Sequence, residues 1–538
     1  MKKRLWIVLL FLLVIGLVYG LLPLSSDRWD IEWNEELRQG KLNYLTDLQA
    51  ITSVSDTGPT RPPNIILIVA DDLGKMDITT YGASVPQTPN LDQLSSEGVR
   101  FDEGYVTHPI CSPSRAGLLT GRYPQRFGHE YHIHERYPKN RLERWVYKNF
   151  IATEDWRVAQ DGVPDEEQME KQGVPPSEIL LSEVLHKAGY VTGIAGKWHL
   201  GYSQLHIPIN RGFDHQFGFY EAFSLYQADT HAATVVNQHC PEFSDPFIWG
   251  KGREGNCAIT RMDVVVEEPG YLTDQITNEA IGFMDMNRDR PFFLYVPYSA
   301  PHTPFQAQKK YYDQFESIED PYQRIYYAMI RNLDDGIGAI HQKVKDLGLE
   351  ENTLIVFLSD NGGATYTQAT TNAPLKGGKM THFEGGINVP FFMKWKGKVD
   401  SGSVCTTPVI STDVFRTIMD QVGLPMPSDR KYDGSDLVTL VNNDRSLPRD
   451  LYWKAGSNRA IRSGNWKFIE DSRTGSMALY RLDQDKNEQR NLAAENPEGV
   501  ARMRSILDQW ENELQPTLWP RVMDYRYETE DQVHYYPL

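Results

Sequence analysis

The sequence predicts an α/β fold: a mainly parallel β-sheet flanked by helices, followed by a smaller C-terminal α+β domain. This prediction rests on two observations. Between residues 61 and 444, short apolar segments of the kind that form fully buried strands alternate with amphipathic segments. In residues 445–538, strand-like segments follow one another before a single helical segment. The first pattern is typical of a parallel sheet, and the second is typical of an antiparallel sheet in an α+β domain.

Each predicted element has local signals. The first strand, residues 64–70, is a continuous apolar run. The helix at 89–97 begins with a proline and ends before Gly98, and the helix at 177–186 begins with a serine cap. The other predicted elements are strands at 190–195, 291–296 and 353–358, helices at 273–286 and 321–347, C-terminal strands at 460–469 and 478–483, and a closing helix at 498–514.

The composition is that of a globular protein with an acidic surface. Of 538 residues, 40% are hydrophobic and 24% are charged, which is enough for one large core and a smaller domain. The net charge of −17 disfavours nucleic acids and anionic membranes as general partners. An anionic substrate would therefore need a locally basic pocket.

The N-terminus predicts export. A basic start, Met1-Lys2-Lys3-Arg4, precedes an apolar run that extends from Leu5 to Leu22. We assign residues 1–24 to a cleaved signal peptide, with an uncleaved membrane anchor as the alternative, and residues 25–60 to a linker. The protein is thus expected in the periplasm or outside the cell, where the spacing of Cys240 and Cys257 across a polar loop predicts a disulfide.

Polar residues follow four of the predicted strands. In open α/β sheets, ligands bind at the carboxyl edge of the strands, so we expect these side chains to form one site. The residues are Asp71 and Asp72 after the first strand, Lys197 and His199 after the second, His302 after the third, and Asp360 and Asn361 after the fourth.

Each of these residues also has a simpler interpretation. Asp71-Asp72 and Asp360-Asn361 could form turns and caps, and single histidines are usually structural. The pair Asp334-Asp335 lies inside a long predicted helix, where a structural or solvated role is favoured over a site role.

Cys111 begins the most informative segment, which reads Cys-Ser-Pro-Ser-Arg-Ala-Gly-Leu-Leu-Thr-Gly-Arg and is predicted to start in a turn. The neighbouring Arg115 could lower the pKa of a reactive thiol. The other candidate residues, however, offer oxygen ligands, which select hard cations such as Ca²⁺ or Mg²⁺, whereas a thiolate is a soft ligand. A thiol is therefore chemically out of place in this set.

This segment resembles the signature of the formylglycine-dependent (type I) sulfatases. Companion segments at 64–74, 196–201, 300–304, 359–363, 375–379 and 384–390 are similar to the family's other motifs, in the family's order. The resemblance covers roughly residues 61–440 and is weaker in the C-terminal domain. It implies an alkaline-phosphatase-like fold, with the catalytic domain at residues 61–444 and the α+β subdomain at residues 445–538.

The resemblance also implies cofactors and roles. A maturation enzyme would oxidise Cys111 to formylglycine, and residue 111 would hold Ca²⁺ together with Asp71, Asp72, Asp360 and Asn361. The residues implied to surround the formylglycine and the sulfate are Arg115, Lys197, His199, His302 and Lys379. Among them His302, with Lys379, would protonate the leaving alcohol, and His199 would take the proton whose loss releases sulfate.

The predicted function is hydrolysis of sulfate esters. One alternative is a phosphonate or phosphate ester hydrolase on the same scaffold. The other is a non-catalytic sulfoglycan-binding protein in which Cys111 stays a thiol, although such a protein would need neither His199 nor His302. A sulfated carbohydrate is the favoured substrate. Candidate residues for binding it are Glu130, Tyr131, His132 and His134, and also His231, His239, Trp249, Lys251 and Arg253.

Overall fold

The computed structural model describes residues 6, 10, 14–22, 29–54, 61–159, 162–443, 449–529 and 532–538. The predicted leader, residues 1–24, lies mostly outside these ranges. In the part that is described, we find no helix with both the length and the apolar character needed to cross a membrane.

The strands are numbered in chain order. They are β1 Asn64–Ala70, β2 Val99–Phe101, β3 Gly104–Tyr105, β4 Trp156–Val158, β5 Val191–Lys197, β6 His215–Phe219, β7 Val235–Gln238, β8 Thr260–Arg261, β9 Val264–Val265, β10 Phe292–Pro297, β11 Phe305–Gln308, β12 Thr353–Ser359, β13 Phe391–Lys394, β14 Ser403–Cys405, β15 Val409–Ile410, β16 Asp450–Ala455, β17 Asn458–Ser463, β18 Trp466–Asp471, β19 Ser476–Arg481, β20 Met523–Glu528 and β21 Val533–Pro537.

The largest sheet in the described residues has ten strands in the order β14-β2-β13-β12-β1-β10-β5-β6-β8-β9. Its central strands, from β12 to β6, are all parallel, and β13 adds an antiparallel strand beside β12. The strand β1 is buried along its whole length, as its continuous apolar sequence predicts for a strand with both faces covered. The structure thus confirms the predicted α/β fold class.

Helices cover this sheet on both faces. The α-helices are Glu35–Val54, Pro89–Ser96, Cys111–Thr120, Arg141–Val146, Glu166–Met169, Leu181–Lys187, Asp245–Lys251, Leu272–Asn287, Lys309–Tyr312, Pro321–Asp346, Glu384–Ile387, Thr412–Val422, Leu437–Asn442 and Pro497–Glu511. The longest of them, Pro321–Asp346, begins as expected from its sequence: Pro321 is the first helical residue, and the Asp320 carboxylate accepts hydrogen bonds from two backbone amides of the first turn.

The C-terminal part has its own antiparallel sheet, ordered β16-β17-β18-β19. The single strand predicted at 460–469 is wrong in detail, because the chain reverses there between β17 and β18 with Gly464 at φ +59°. Sequence patterns do not separate two short strands joined by a tight turn from one long strand. The last two strands return to the N-terminal part of the chain, where β20 pairs with β4.

Two further regions differ from simple sequence expectations. A 20-residue helix, Glu35–Val54, occupies most of the segment 25–60. It is held to the catalytic region by Lys41, whose Nζ lies 2.6 Å from Glu183 Oε1. Cys240 and Cys257 form no disulfide. They pack in different apolar clusters, and the Cys240 thiol donates instead to Asp245, so loop spacing alone did not predict the position of either thiol.

Candidate active site

Cys111 is the first residue of the helix Cys111–Thr120, all of which is buried. The predicted turn is therefore the first turn of a helix, where Pro113 is tolerated because the first amides of a helix have no partner within it. The thiol of Cys111 lies 3.4 Å from Asp71 Oδ1 and 3.9 Å from Asp72 Oδ1. Burial raises the pKa of this thiol well above its usual value. The thiol is consequently protonated and a poor nucleophile in this environment.

Two adjacent parallel strands deliver the acidic groups. Ala70, the last residue of β1, is in register with Ser359, the last residue of β12. The residues that follow, Asp71-Asp72 and Asp360-Asn361, are therefore neighbours. The backbone amide of Asp72 lies 3.3 Å from Asp360 Oδ1, and Asn361 Nδ2 donates to Asp72 Oδ1 at 2.8 Å.

The backbone at this edge is strained at Asp72, whose φ of +62° is one that residues other than glycine rarely adopt. His199 has φ +56° and is strained in the same way. Strain of this kind persists only where the surrounding structure enforces it, and it is concentrated at functional sites. Both residues belong to the set predicted from strand ends.

Three cations neutralise these buried acids. Arg115 Nη2 lies 2.8 Å from Asp360 Oδ2, and Lys197 Nζ lies 2.7 Å from Asp71 Oδ2. Lys379 Nζ lies 2.9 Å from Asp72. Pairing is required here, because an unpaired charge buried in a protein is strongly destabilising.

The protonation of the acids follows from these pairs. Burial alone would raise the pKa of Asp71, but the nearby cations, led by Lys197, hold that pKa below its usual value. Burial likewise opposes ionisation of Asp72, and Lys379 outweighs it, so the pKa of Asp72 is also lowered. The pKa of Asp360 is raised by burial and by the charge of Asp71. The edge thus holds two firmly ionised carboxylates beside a third that is harder to ionise.

His302 faces the same acids. One ring nitrogen, Nδ1, lies 2.6 Å from the Thr303 carbonyl and must donate a proton to it. The other, Nε2, lies 3.6 Å from Asp72 Oδ2. Burial and the charge of Lys379 lower the pKa of His302, whereas the charge of Asp72 raises it. Its tautomer is therefore fixed by the backbone, with Nε2 left to face the acidic edge.

His199 is fully buried, and neither ring nitrogen has a hydrogen-bond partner among the described residues. Burial lowers the pKa of its imidazole well below the usual value, and the neighbouring His132 and Lys197 add to this effect. The ring of His132 contacts that of His199 at a centroid distance of 4.5 Å. A neutral imidazole with unused nitrogens is thus present beside the lysine and arginine side chains.

The other predicted substrate-binding residues have different surroundings. Glu130 is buried and accepts from Lys454 Nζ at 3.0 Å, so it ties the C-terminal part to the catalytic region. Tyr131 packs in an apolar cluster with Trp519. Lys251 is paired with Glu135, and Arg253 donates to two backbone carbonyls.

Three of the remaining candidates lie between residues 231 and 249, and Trp249, in the helix Asp245–Lys251, is half-buried. His231 and His239 are exposed, and His239 lies 2.7 Å from Asp245 and contacts the ring of Trp249.

The pair Asp334-Asp335 is structural as predicted, since Asp334 accepts from the backbone amide of Leu91 at 2.8 Å and caps the helix Pro89–Ser96.

Glu242 was not predicted. It is buried, and the hydroxyl of Ser244 donates to its carboxylate at 2.7 Å. Burial raises the pKa of Glu242 to about 7, against the opposing effect of Ser244 and of Lys379. No local signal marks this residue, because it reaches Lys379 only through the folding of the loop after β7.

The polar side chains meet at the carboxyl edge of a mainly parallel, helix-covered sheet, which is where α/β enzymes bind their ligands. The family model for sulfatases matches residues 63–424. The chain therefore belongs to the sulfatase family, and it is a sulfuric ester hydrolase.

Relatives and solved structures agree with this assignment. N-acetylgalactosamine-6-sulfatase of Rattus norvegicus is 33% identical over 417 residues, which cover 76% of this chain and 72% of the relative. Ps i-CgsB, solved in complex with k-i-k-neocarrahexaose, superimposes with a TM-score of 0.71 at 30% identity. The superposition covers 85% of this chain and 95% of the Ps i-CgsB chain. The phosphonate monoester hydrolase of Agrobacterium radiobacter superimposes with a TM-score of 0.54 at 19% identity, over 88% of this chain and 99% of the hydrolase chain. At this low identity the likeness supports a shared fold and no shared activity.

Proposed function

We propose that this sulfatase hydrolyses the sulfate ester of a carbohydrate with a formylglycine made from Cys111 and a bound Ca²⁺ ion. The observation that supports this most is the position of the Cys111 thiol, buried against Asp71 and Asp72 with a raised pKa. A thiol there is neither a good nucleophile nor a suitable ligand for a hard cation. Conversion to an oxygen-bearing group removes both difficulties.

The oxygen donors fit a calcium ion. Asp71, Asp72 and Asp360 are buried together, and Asn361 Oδ1 is buried without a hydrogen-bond partner among the described residues. Ca²⁺ takes six to eight oxygen ligands, which carboxylates and amide oxygens supply. These four residues, with residue 111, would hold the ion, which supplies positive charge against the sulfate and the attacking oxygen.

Formylglycine would supply, through its hydrated aldehyde, one hydroxyl for attack on sulfur and a second for release of sulfate. The lysine and arginine side chains then have clear roles. Arg115 and Lys197 are fully buried beside residue 111 and would bind the sulfate oxygens. Fixed cations in a dry pocket stabilise charge that develops in the transition state more strongly than water does.

His302 would hold the proton for the leaving alcohol at Nε2 in its imidazolium form, which the charge of Asp72 favours, because Nδ1 is committed to the Thr303 carbonyl. Lys379, which contacts the same carboxylate of Asp72, would assist it. His199 would accept a proton within the pocket, since its nitrogens are unused and its lowered pKa leaves the imidazole neutral. These are proton transfers of the general acid and general base kind.

A carbohydrate substrate is supported by the relatives. The rat relative is named for a sulfated amino sugar, and Ps i-CgsB has been solved with a neocarrahexaose. We also propose that the chain is exported with the aid of its basic and apolar N-terminus, either cleaved or retained as an anchor, and is matured by a formylglycine-generating enzyme. Residues 61–444 would form the catalytic domain and residues 445–538 the α+β subdomain.

The test is a panel of sulfated mono- and oligosaccharides, with release of inorganic sulfate as the measurement. Phosphate and phosphonate esters are assayed beside them, and Cys111→Ala serves as the inactive control. We expect turnover of at least one saccharide sulfate, and loss of it in the variant. Faster turnover of phosphonate or phosphate esters would favour the alternative hydrolase. Saccharide binding without turnover, in protein whose residue 111 remains a thiol, would favour the binding protein.

A further inference from the structure

A surface cleft of about 760 Å³ is lined mainly by the segments 134–135, 166–171 and 202–205. Its size is in the range of small-molecule binding sites. Two aromatic residues, Trp33 and Tyr202, line it together with polar groups that include Asn256 and Gln204. Aromatic faces next to amides and carboxylates suit a sugar ring, which presents both apolar C–H surfaces and hydroxyl groups.

The cleft adjoins the catalytic residues on the side of β5. Tyr202 comes three residues after His199 on the segment that leaves this strand. His134 lines the cleft, and its ring contacts that of His132 at 5.1 Å. The ring of His132 in turn contacts His199 at 4.5 Å. Only two ring contacts therefore separate the cleft from the catalytic edge.

The charge of the cleft disfavours an anionic ligand. Four glutamates line it, Glu135, Glu166, Glu167 and Glu170, against the single cation Lys171. Lys251 pairs with Glu135, and Lys139 pairs with Glu166 at 3.0 Å, so Glu167 and Glu170 remain against Lys171. A second sulfate or a uronic acid at this position would be repelled, and such repulsion is a common source of specificity.

A metal ion is not the expected ligand. Among the described residues, two groups have ligand atoms close enough to share an ion, and neither lines the cleft. They are Asp71, Asp72, Cys111 and His302, and Glu97, His341 and Glu350. Three lining side chains instead carry polar atoms that are screened from solvent and have no partner among the described residues: Trp33 Nε1, His134 Nε2 and the Tyr202 hydroxyl. Buried polar groups normally have a hydrogen-bond partner, and the hydroxyl groups of a sugar would supply one here.

We propose that this cleft binds an uncharged sugar residue attached to the sulfated one, so that the substrate is an oligosaccharide or polysaccharide whose sulfated unit has a neutral neighbour. This inference rests on the proposed function, because it requires a carbohydrate sulfate at the catalytic edge. The carboxylates accept hydrogen bonds from sugar hydroxyls, and Trp33 and Tyr202 contact the ring.

The experiment uses the mature full chain and three substrates that share the sulfated sugar identified by the panel. One is the monosaccharide, one a disaccharide with a neutral neighbour, and one the same disaccharide with a uronic acid neighbour. We expect kcat/KM to be about tenfold or more higher for the neutral than for the uronate disaccharide. Trp33→Ala should raise KM for the neutral disaccharide about tenfold more than for the monosaccharide.

The control is Trp145→Ala, because Trp145 is 53% exposed and lies outside the cleft. This variant should leave kcat/KM unchanged for all three substrates. If Trp33→Ala does not fold, Glu167→Gln/Glu170→Gln changes only exposed side chains and should reduce the discrimination against the uronate. Equal turnover of both disaccharides, or discrimination unaffected by these variants, overturns this inference alone. Failure of the native enzyme on every saccharide sulfate overturns the proposed carbohydrate function as well.

Discussion

Replacement of His302 by alanine tests its proposed role as the proton donor. The hydrogen bond of 2.6 Å between Nδ1 and the Thr303 carbonyl leaves only Nε2 to serve the substrate. A sugar alkoxide is a poor leaving group and needs a proton as its bond to sulfur breaks, whereas a nitrophenolate needs little help. General acid catalysis contributes about 10²- to 10⁴-fold, or about 3 to 5 kcal/mol of activation free energy.

We therefore expect His302→Ala to lower kcat/KM by about 10²- to 10⁴-fold on a sugar sulfate and far less on 4-nitrophenyl sulfate. Sulfate release from the sugar and nitrophenolate absorbance measure the two rates. Arg115→Ala is the matched comparison: it should slow both substrates alike, because Arg115 is buried beside residue 111 and would bind the sulfate. If His302→Ala also slows both equally, His302 binds sulfate and the donor is Lys379, which Lys379→Ala on the same two substrates would reveal.

Three further predictions concern modification, metal and stability. Trypsin should release residues 101–115 with a mass lower than that encoded and with reactivity toward carbonyl reagents; an unmodified Cys111 in fully active protein contradicts the mechanism. Asp360→Ala should lose bound Ca²⁺ by elemental analysis together with activity, and full activity of metal-free protein would refute the calcium assignment. Burial and the charge of Glu135 raise the pKa of Glu221 from 4.5 to about 8. The folded state then retains a proton that the unfolded state loses, so stability should fall as the pH rises from about 4.5 to 8, by up to about 4 kcal/mol. Glu221→Gln should weaken this dependence in urea unfolding at pH 5.5 and 8.5, and an unchanged dependence would exclude Glu221 as its source.

Most of the catalytic fold could be predicted, because its elements have strong local signals. The strand Asn64–Ala70 and the helix Pro321–Asp346 have nearly the bounds that apolar patterning and capping residues indicate. Predictions failed where local sequence was ambiguous. The hairpin between β17 and β18 was predicted as one strand, and the start of the 111–122 segment was predicted as a turn although it is helical.

The candidate site was predictable in its membership but not in its electrostatics. Strand ends pointed to Asp71, Lys197 and Asp360 as one set. Which acid pairs with which cation, and hence which acid is easily ionised, depends on distances of less than 3 Å between groups far apart in sequence, such as Lys197 and Asp71. Glu242 and the cleft at Trp33 had no sequence signal for the same reason.

By itself the sequence determined the fold class, the order of the motifs and the chemical mismatch of Cys111 with its oxygen-rich companions, since each follows from residue type and short-range spacing. Only the tertiary structure decided which strands are adjacent, and thereby that Asp72 and Asp360 meet although they are 288 positions apart in the sequence. It also decided that Cys240 and Cys257 pack apart and that Glu130 supports the C-terminal part rather than a substrate. Contacts of this length are set by the packing of the whole core, in which each element's position depends on all the others.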